Sequence, residues 1–215
     1  MIKEEIIKRI LSSIILIPIV LFFIIKGSFL FNFFIFICFL ITTYEWLKLS
    51  KNNLLKLFGT IFIVISFYTI FKIRNEFDRD YYHLLLVAII CVSSDIGGYI
   101  FGNIFKGPKL TKISPKKTYS GVIGSFLLSL IFTNLFLEFS SNLQTSEFTK
   151  EMFLFILLVS FVSQIGDLII SYFKRKSKMK DTGTIIPGHG GILDRIDGVI
   201  FALPFSYVLF LNFNF

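Results

Sequence analysis

Asp194 and Asp197 stand three residues apart at the head of an apolar run, with Arg195 between them. Residues i and i+3 share one face of a helix, whereas i and i+1 do not. The spacing therefore presents two carboxylates side by side and sends Arg195 elsewhere. Two close carboxylates raise each other's pKa unless a cation sits between them. Hard oxygen ligands with open positions suit Mg²⁺, which is commonly held by one or two carboxylates plus a substrate phosphate. The alternative is structural: each acid pairs with a Lys or Arg and merely fixes packing.

Upstream lies Pro187-Gly188-His189-Gly190-Gly191, preceded by Lys174, Arg175, Lys176, Lys178, Lys180 and Asp181. Glycine lets successive N–H groups converge on an anion, and a following helix start adds its dipole. Beside a carboxylate pair and five cations, Gly190 and Gly191 point to a phosphate and Mg²⁺ pocket; His189 is either a substrate contact or an ordinary turn histidine. Two further carboxylates, Asp95 and Asp167, fall within apolar stretches. A charge at mid-bilayer costs about 2.5–3.5 kcal/mol unless it pairs or faces a polar cavity. Between these stretches runs Lys112-Ile113-Ser114-Pro115-Lys116-Lys117-Thr118. Its lysines either anchor the chain at the membrane face or, with the Ser114 and Thr118 hydroxyls, grip a polyphosphate.

The elements that must position these groups are transmembrane helices. The chain has 215 residues, 54% hydrophobic, 29 of them Phe, and a mean hydropathy of +0.78. About 20 apolar residues span a hydrocarbon core of roughly 30 Å, and seven stretches qualify, near 10–25, 28–47, 54–73, 82–101, 119–138, 152–173 and 191–213. The expected fold is an all-α, polytopic bundle of about seven spans. The first stretch lacks a small-residue cleavage site and is kept as a helix. Of 22 Lys/Arg, sixteen fall in segments on one side and five on the other. That asymmetry places the amino terminus in the cytoplasm. A net charge of +8 thus faces headgroups and soluble anions rather than nucleic acid. Cys38 and Cys91 lie inside separate spans and offer neither a disulfide framework nor zinc spacing. Residues 1–80 read as scaffold, with Glu45 the one acid inside their apolar runs, and 81–215 as the catalytic part of one structural unit.

The pattern Ser171-x-Phe173-Lys174-Arg175-x4-Lys180-Asp181-x-Gly183-x3-Pro187-x-His189-Gly190-Gly191-x2-Asp194-Arg195-x-Asp197 resembles the signature of the phosphatidate cytidylyltransferases (CDP-diacylglycerol synthases) over 27 residues. Asp95-x-Gly97-Gly98-Tyr99-x2-Gly102, Lys112-x-Ser114-Pro115-Lys116-Lys117-Thr118-x2-Gly121 and Gly166-Asp167 are similar to the same family. Ser120 and Ile170 stand where that family often has Glu.

The resemblance implies a Mg²⁺-dependent condensation of CTP with phosphatidic acid, giving CDP-diacylglycerol and pyrophosphate. It implies catalytic roles for Asp194, Asp197, Asp167, Lys174 and Arg175, with the three aspartates holding the metal, alone or beside a second cation. Asp95, Ser114, Lys116, Lys117, Thr118, Lys180, Asp181, His189, Gly190, Gly191 and Arg195 are the expected substrate contacts. The expected location is a bacterial-type cytoplasmic (inner) membrane, as a monomer or homodimer among membrane lipids. Two alternatives stay open: a CTP-using enzyme acting on an isoprenoid or archaeal-type lipid, and a transporter, although transporter sites sit near mid-bilayer.

Overall fold

A computed structural model describes residues 2–76 (backbone only for 2–11), 81–111, 114, 117–141, 149–188 and 190–212. Among these residues eight helices follow in order: α1 Ile2–Lys26, α2 Ser28–Leu49, α3 Asn53–Asn75, α4 Tyr82–Phe105, α5 Tyr119–Ser141, α6 Lys150–Lys176, α7 Leu193–Ile196 and α8 Val199–Asn212. Among the described residues there is no strand, only isolated bridges between Lys109 and Thr118 and between Ile186 and Gly190. Five helices, α2 to α6, are long and apolar enough to cross a membrane, whereas Ser12–Lys26 and α8 are shorter apolar helices. Large apolar side chains face outward along them, with Phe29 76%, Phe58 65% and Phe139 75% exposed. In water such continuous apolar surface would drive association; in lipid it is the ordinary exterior of a membrane protein.

The apolar run expected as one span over 191–213 is divided into α7 and α8. The break falls at Asp197 and Gly198. Glycine weakens a helix by about 1 kcal/mol relative to Ala, and here it also admits Ser163, whose Oγ would lie 2.4 Å from a Cβ on residue 198. Asp194 therefore sits in a short turn of helix outside α8.

The chain forms two compact units, Met1–Tyr81 with Phe173–Asp197, and Tyr82–Tyr172 with Gly198–Phe215. The segment carrying the motif groups with the amino-terminal helices. In the first unit, buried Phe31, Leu49, Ile63 and Ile73 build the core. Trp46 lies flat against Gly59 of α3, where any Cβ would meet its indole at 2.0 Å, and its Nε1 donates to Lys56 O at 3.3 Å. Arg74 is buried. Its Nε donates to Ile24 O at 2.8 Å and satisfies a carbonyl at the end of α1.

In the second unit α4 and α5 pack backbone to backbone: a Cβ on Gly97 would lie 2.2 Å from Gly124 O. Hydroxyls hold the same surfaces together, a favourable device where water is absent. Ser125 Oγ donates to Ser94 O at 2.7 Å, and Ser94 Oγ meets Ser160 Oγ of α6 at 2.9 Å.

Candidate active site

The basic end of α6 places Lys174 against the acids of α7. Its Nζ lies 2.9 Å from Asp194 Oδ1 and 3.6 Å from Asp197 Oδ2. The side chains are 12%, 3% and 13% exposed, respectively. Two carboxylates three residues apart thus turn toward one cation, as their spacing requires. Arg195 is exposed, on another side of the same turn. Arg175, Lys176, Lys178, Lys180 and Asp181 are also exposed, so the cations that follow Lys174 are open to a soluble anion.

The second oxygen of Asp194 is committed to the loop. Oδ2 accepts from Thr182 N at 2.7 Å and Gly191 N at 2.9 Å, and Thr182 Oγ1 lies 3.0 Å from it. Burial alone would raise this carboxyl's pKa. The Gly191 and Thr182 N–H groups and the Lys174 ammonium outweigh burial and hold it below the ordinary aspartate range. Gly190 makes this possible: with φ at +86° it favours glycine, and a Cβ there would lie 2.5 Å from Asp194 Oδ2.

The glycine-rich turn does gather N–H donors on anions, but the anions seen are the protein's own. Gly191 N goes to Asp194, whereas Ile192 N and Leu193 N go to Glu45, at 3.1 and 2.8 Å. Thr182 Oγ1 lies 2.9 Å from Glu45 Oε2. Glu45 and Thr182 have no assigned role in the sequence pattern. A signal for Glu45 was present, namely an acid inside an apolar run; Thr182 offered none.

The second unit holds a separate pair. Lys117 Nζ lies 2.6 Å from Asp167 Oδ2, and Ser171 Oγ donates to Asp167 Oδ1 at 3.1 Å. These two side chains are 26% and 28% exposed. Thr118, expected as a phosphate donor, caps α5 by accepting from Gly121 N at 3.1 Å. Ser114 accepts through its carbonyl from Lys117 N and donates its own N–H to Thr111 Oγ1. Asp95 is exposed on α4. Where the family often has Glu, Ser120 bonds Thr118 and Lys106 O, and Ile170 is core. Lys116 and His189 lie outside the described residues. Among those described, no three His, Cys, Asp or Glu side chains form a metal-binding group. Within the first unit Asp194 and Asp197 meet Lys174, and within the second Asp167 meets Lys117.

The model of the cytidylyltransferase family matches residues 51–213, which include both lysine–acid groups and the loop between α6 and α7. The chain belongs to that family. It is 36% identical over 210 residues to a protein of Rickettsia typhi named phosphatidate cytidylyltransferase, covering 94% of this chain and 90% of that one. Proteins of the same name from Haemophilus influenzae and Bacillus subtilis are 39% and 36% identical over 170 and 160 residues. The matches take in 75% and 73% of this chain but only 59% and 57% of those longer relatives. Glu45 lies outside the stretch that the family's model matches.

Proposed function

We propose that the protein is a phosphatidate cytidylyltransferase of a bacterial-type inner membrane, joining CTP to phosphatidic acid. The observation that carries this reading is the single ammonium of Lys174 facing both Asp194 and Asp197, within the pattern that resembles the family's signature. Seven spans with the amino terminus in the cytoplasm would put this group at the cytoplasmic face, where the sixteen clustered cations meet CTP and lipid headgroups.

In the reaction a phosphatidate oxygen forms a bond to the α-phosphorus of CTP while the α–β bridging bond breaks. The electron pair leaves with pyrophosphate. The nucleophile is already an anion, so positioning and charge neutralisation are the main tasks of the protein. Lys174 and the exposed Arg175, Lys176, Lys178 and Lys180 bind the triphosphate and hold the departing pyrophosphate. Lys117 and Lys116 add cations from the loop before α5, and the buried loop bonds keep Asp194 from turning away.

Mg²⁺ fits this donor set. Asp194 and Asp197 offer hard oxygens that already share one cation, Lys174, and the resemblance assigns Asp167 as a third carboxylate. Bound there, it would draw charge from the reacting phosphoryl oxygens. A substrate panel tests the reading. Protein in detergent, given CTP, phosphatidate and Mg²⁺, yields CDP-diacylglycerol and pyrophosphate in equal amounts. Product with ATP or a polyprenol, and none with CTP and phosphatidate, would refute it.

A further inference from the structure

We propose that Glu45, in the amino-terminal helices, is a positioning residue that sets the orientation of Asp194; this rests on the function proposed above. Glu45 is 2% exposed near the end of α2. Burying a carboxylate is costly unless its oxygens are satisfied. Three donors do this, and all three come from the loop that carries Asp194: Ile192 N–H on Oε1, and Leu193 N–H and the Thr182 hydroxyl on Oε2. The same hydroxyl lies 3.0 Å from Asp194 Oδ2, and Thr182 N donates to that oxygen as well. One threonine therefore links the two carboxylates. A shift of Glu45 is transmitted to Asp194 through a single residue.

Two glycines of the motif fit this role. A Cβ on Gly183 would come within 2.5 Å of Glu45 Oε1, and one on Gly191 within 2.3 Å of both its carboxylate oxygens. At Gly191 the three nearest atoms all belong to that carboxylate. These glycines make room for Glu45, whereas a phosphate cradle would need them open toward substrate. The other end of the segment is tied to the same stretch of α2. Trp46 packs edge-on against Phe173 at 5.1 Å, and Ser177 Oγ donates to Leu49 O. Lys174 lies between those two ties, so α2 braces both the lysine and the acid it meets.

The test uses the full chain in detergent with CTP, phosphatidate and Mg²⁺. Loss of a group that orients a ligating carboxylate typically costs about 10–100-fold. Glu45→Gln, which keeps the volume but mismatches Leu193 N–H, is expected to lower kcat by about that factor. KM for both substrates should stay within about twofold, because the exposed cations that bind them are untouched. Hydrogen exchange should accelerate in residues 182–193 and stay unchanged in α4 and α5. A kcat within about twofold of the unaltered protein, or faster exchange throughout the chain, would overturn the proposal.

A double-mutant cycle separates Glu45 from a phosphate cradle. Gly191→Ala should lower kcat when Glu45 is present and add no further loss to Glu45→Ala. Equal loss in both backgrounds would assign the glycine to substrate instead. If Glu45→Ala does not fold, the Glu45→Gln kinetics and exchange decide alone. Failure of the unaltered protein to use CTP and phosphatidate would refute the proposed function, while the exchange measurement would still test the Glu45 anchor.

Discussion

The two lysine–acid groups are built differently. Lys174 serves two aspartates, is nearly buried, and sits beside a carboxylate that backbone N–H groups hold in place. Lys117 serves one aspartate, with both partners more than a quarter exposed and one hydroxyl in support. A half-open pair can separate at little cost, because exposed ion pairs contribute about 0–1 kcal/mol. A buried group with fixed oxygens cannot, since breaking a buried pair costs about 3–5 kcal/mol. The difference suggests a division of labour, with preorganised charge on Asp194 and an adaptable cation on Lys117.

Asp194→Asn should have the largest effect. It removes charge from the shared site and mismatches Oδ2 with its N–H donors, so turnover should fall by at least about 10²–10³. Exchange in residues 182–193 should quicken as well. Asp197→Asn should cost a similar factor in turnover, because it removes a second charge from the same lysine. Normal turnover in either variant would remove the distinction between the two lysine groups. Lys117→Met should shift the unfolding midpoint by no more than about 2–4 °C, as an exposed pair implies.

The smallest effect concerns acid. In the folded chain the Gly191 and Thr182 N–H groups and Lys174 outweigh burial and hold the Asp194 carboxyl below the ordinary aspartate range. Its stabilisation is therefore present above that range and lost as pH falls through the folded-state pKa. Emission of Trp46, the single tryptophan, should stay constant from neutral pH to about 4 and change only below it. A change centred near pH 6 would contradict a depressed carboxyl.

Much of this was legible in the sequence. Five of the seven apolar runs coincide with helices long and apolar enough to cross a membrane, α2 to α6, because a span needs length and apolarity and little else. The i, i+3 spacing of Asp194 and Asp197 predicted their common face, and it left Arg195 to the outside. Partner choice was not legible. That Thr118 also caps α5, accepting from Gly121 N, shows only in the geometry of that helix start. Glu45 stood out as an acid in an apolar helix, yet its partners lie 137 to 148 residues away. No local pattern encodes such a separation. The break at Gly198 depends likewise on Ser163 of α6.

The sharing of one cation by Asp194 and Asp197 can be measured with Mn²⁺ in place of Mg²⁺, followed by electron paramagnetic resonance in the presence of CTP. The unaltered protein should bind Mn²⁺, and Asp194→Asn and Asp197→Asn should each weaken that binding by about 10-fold or more. Undiminished Mn²⁺ binding in both variants would show that these carboxylates hold Lys174 and nothing else.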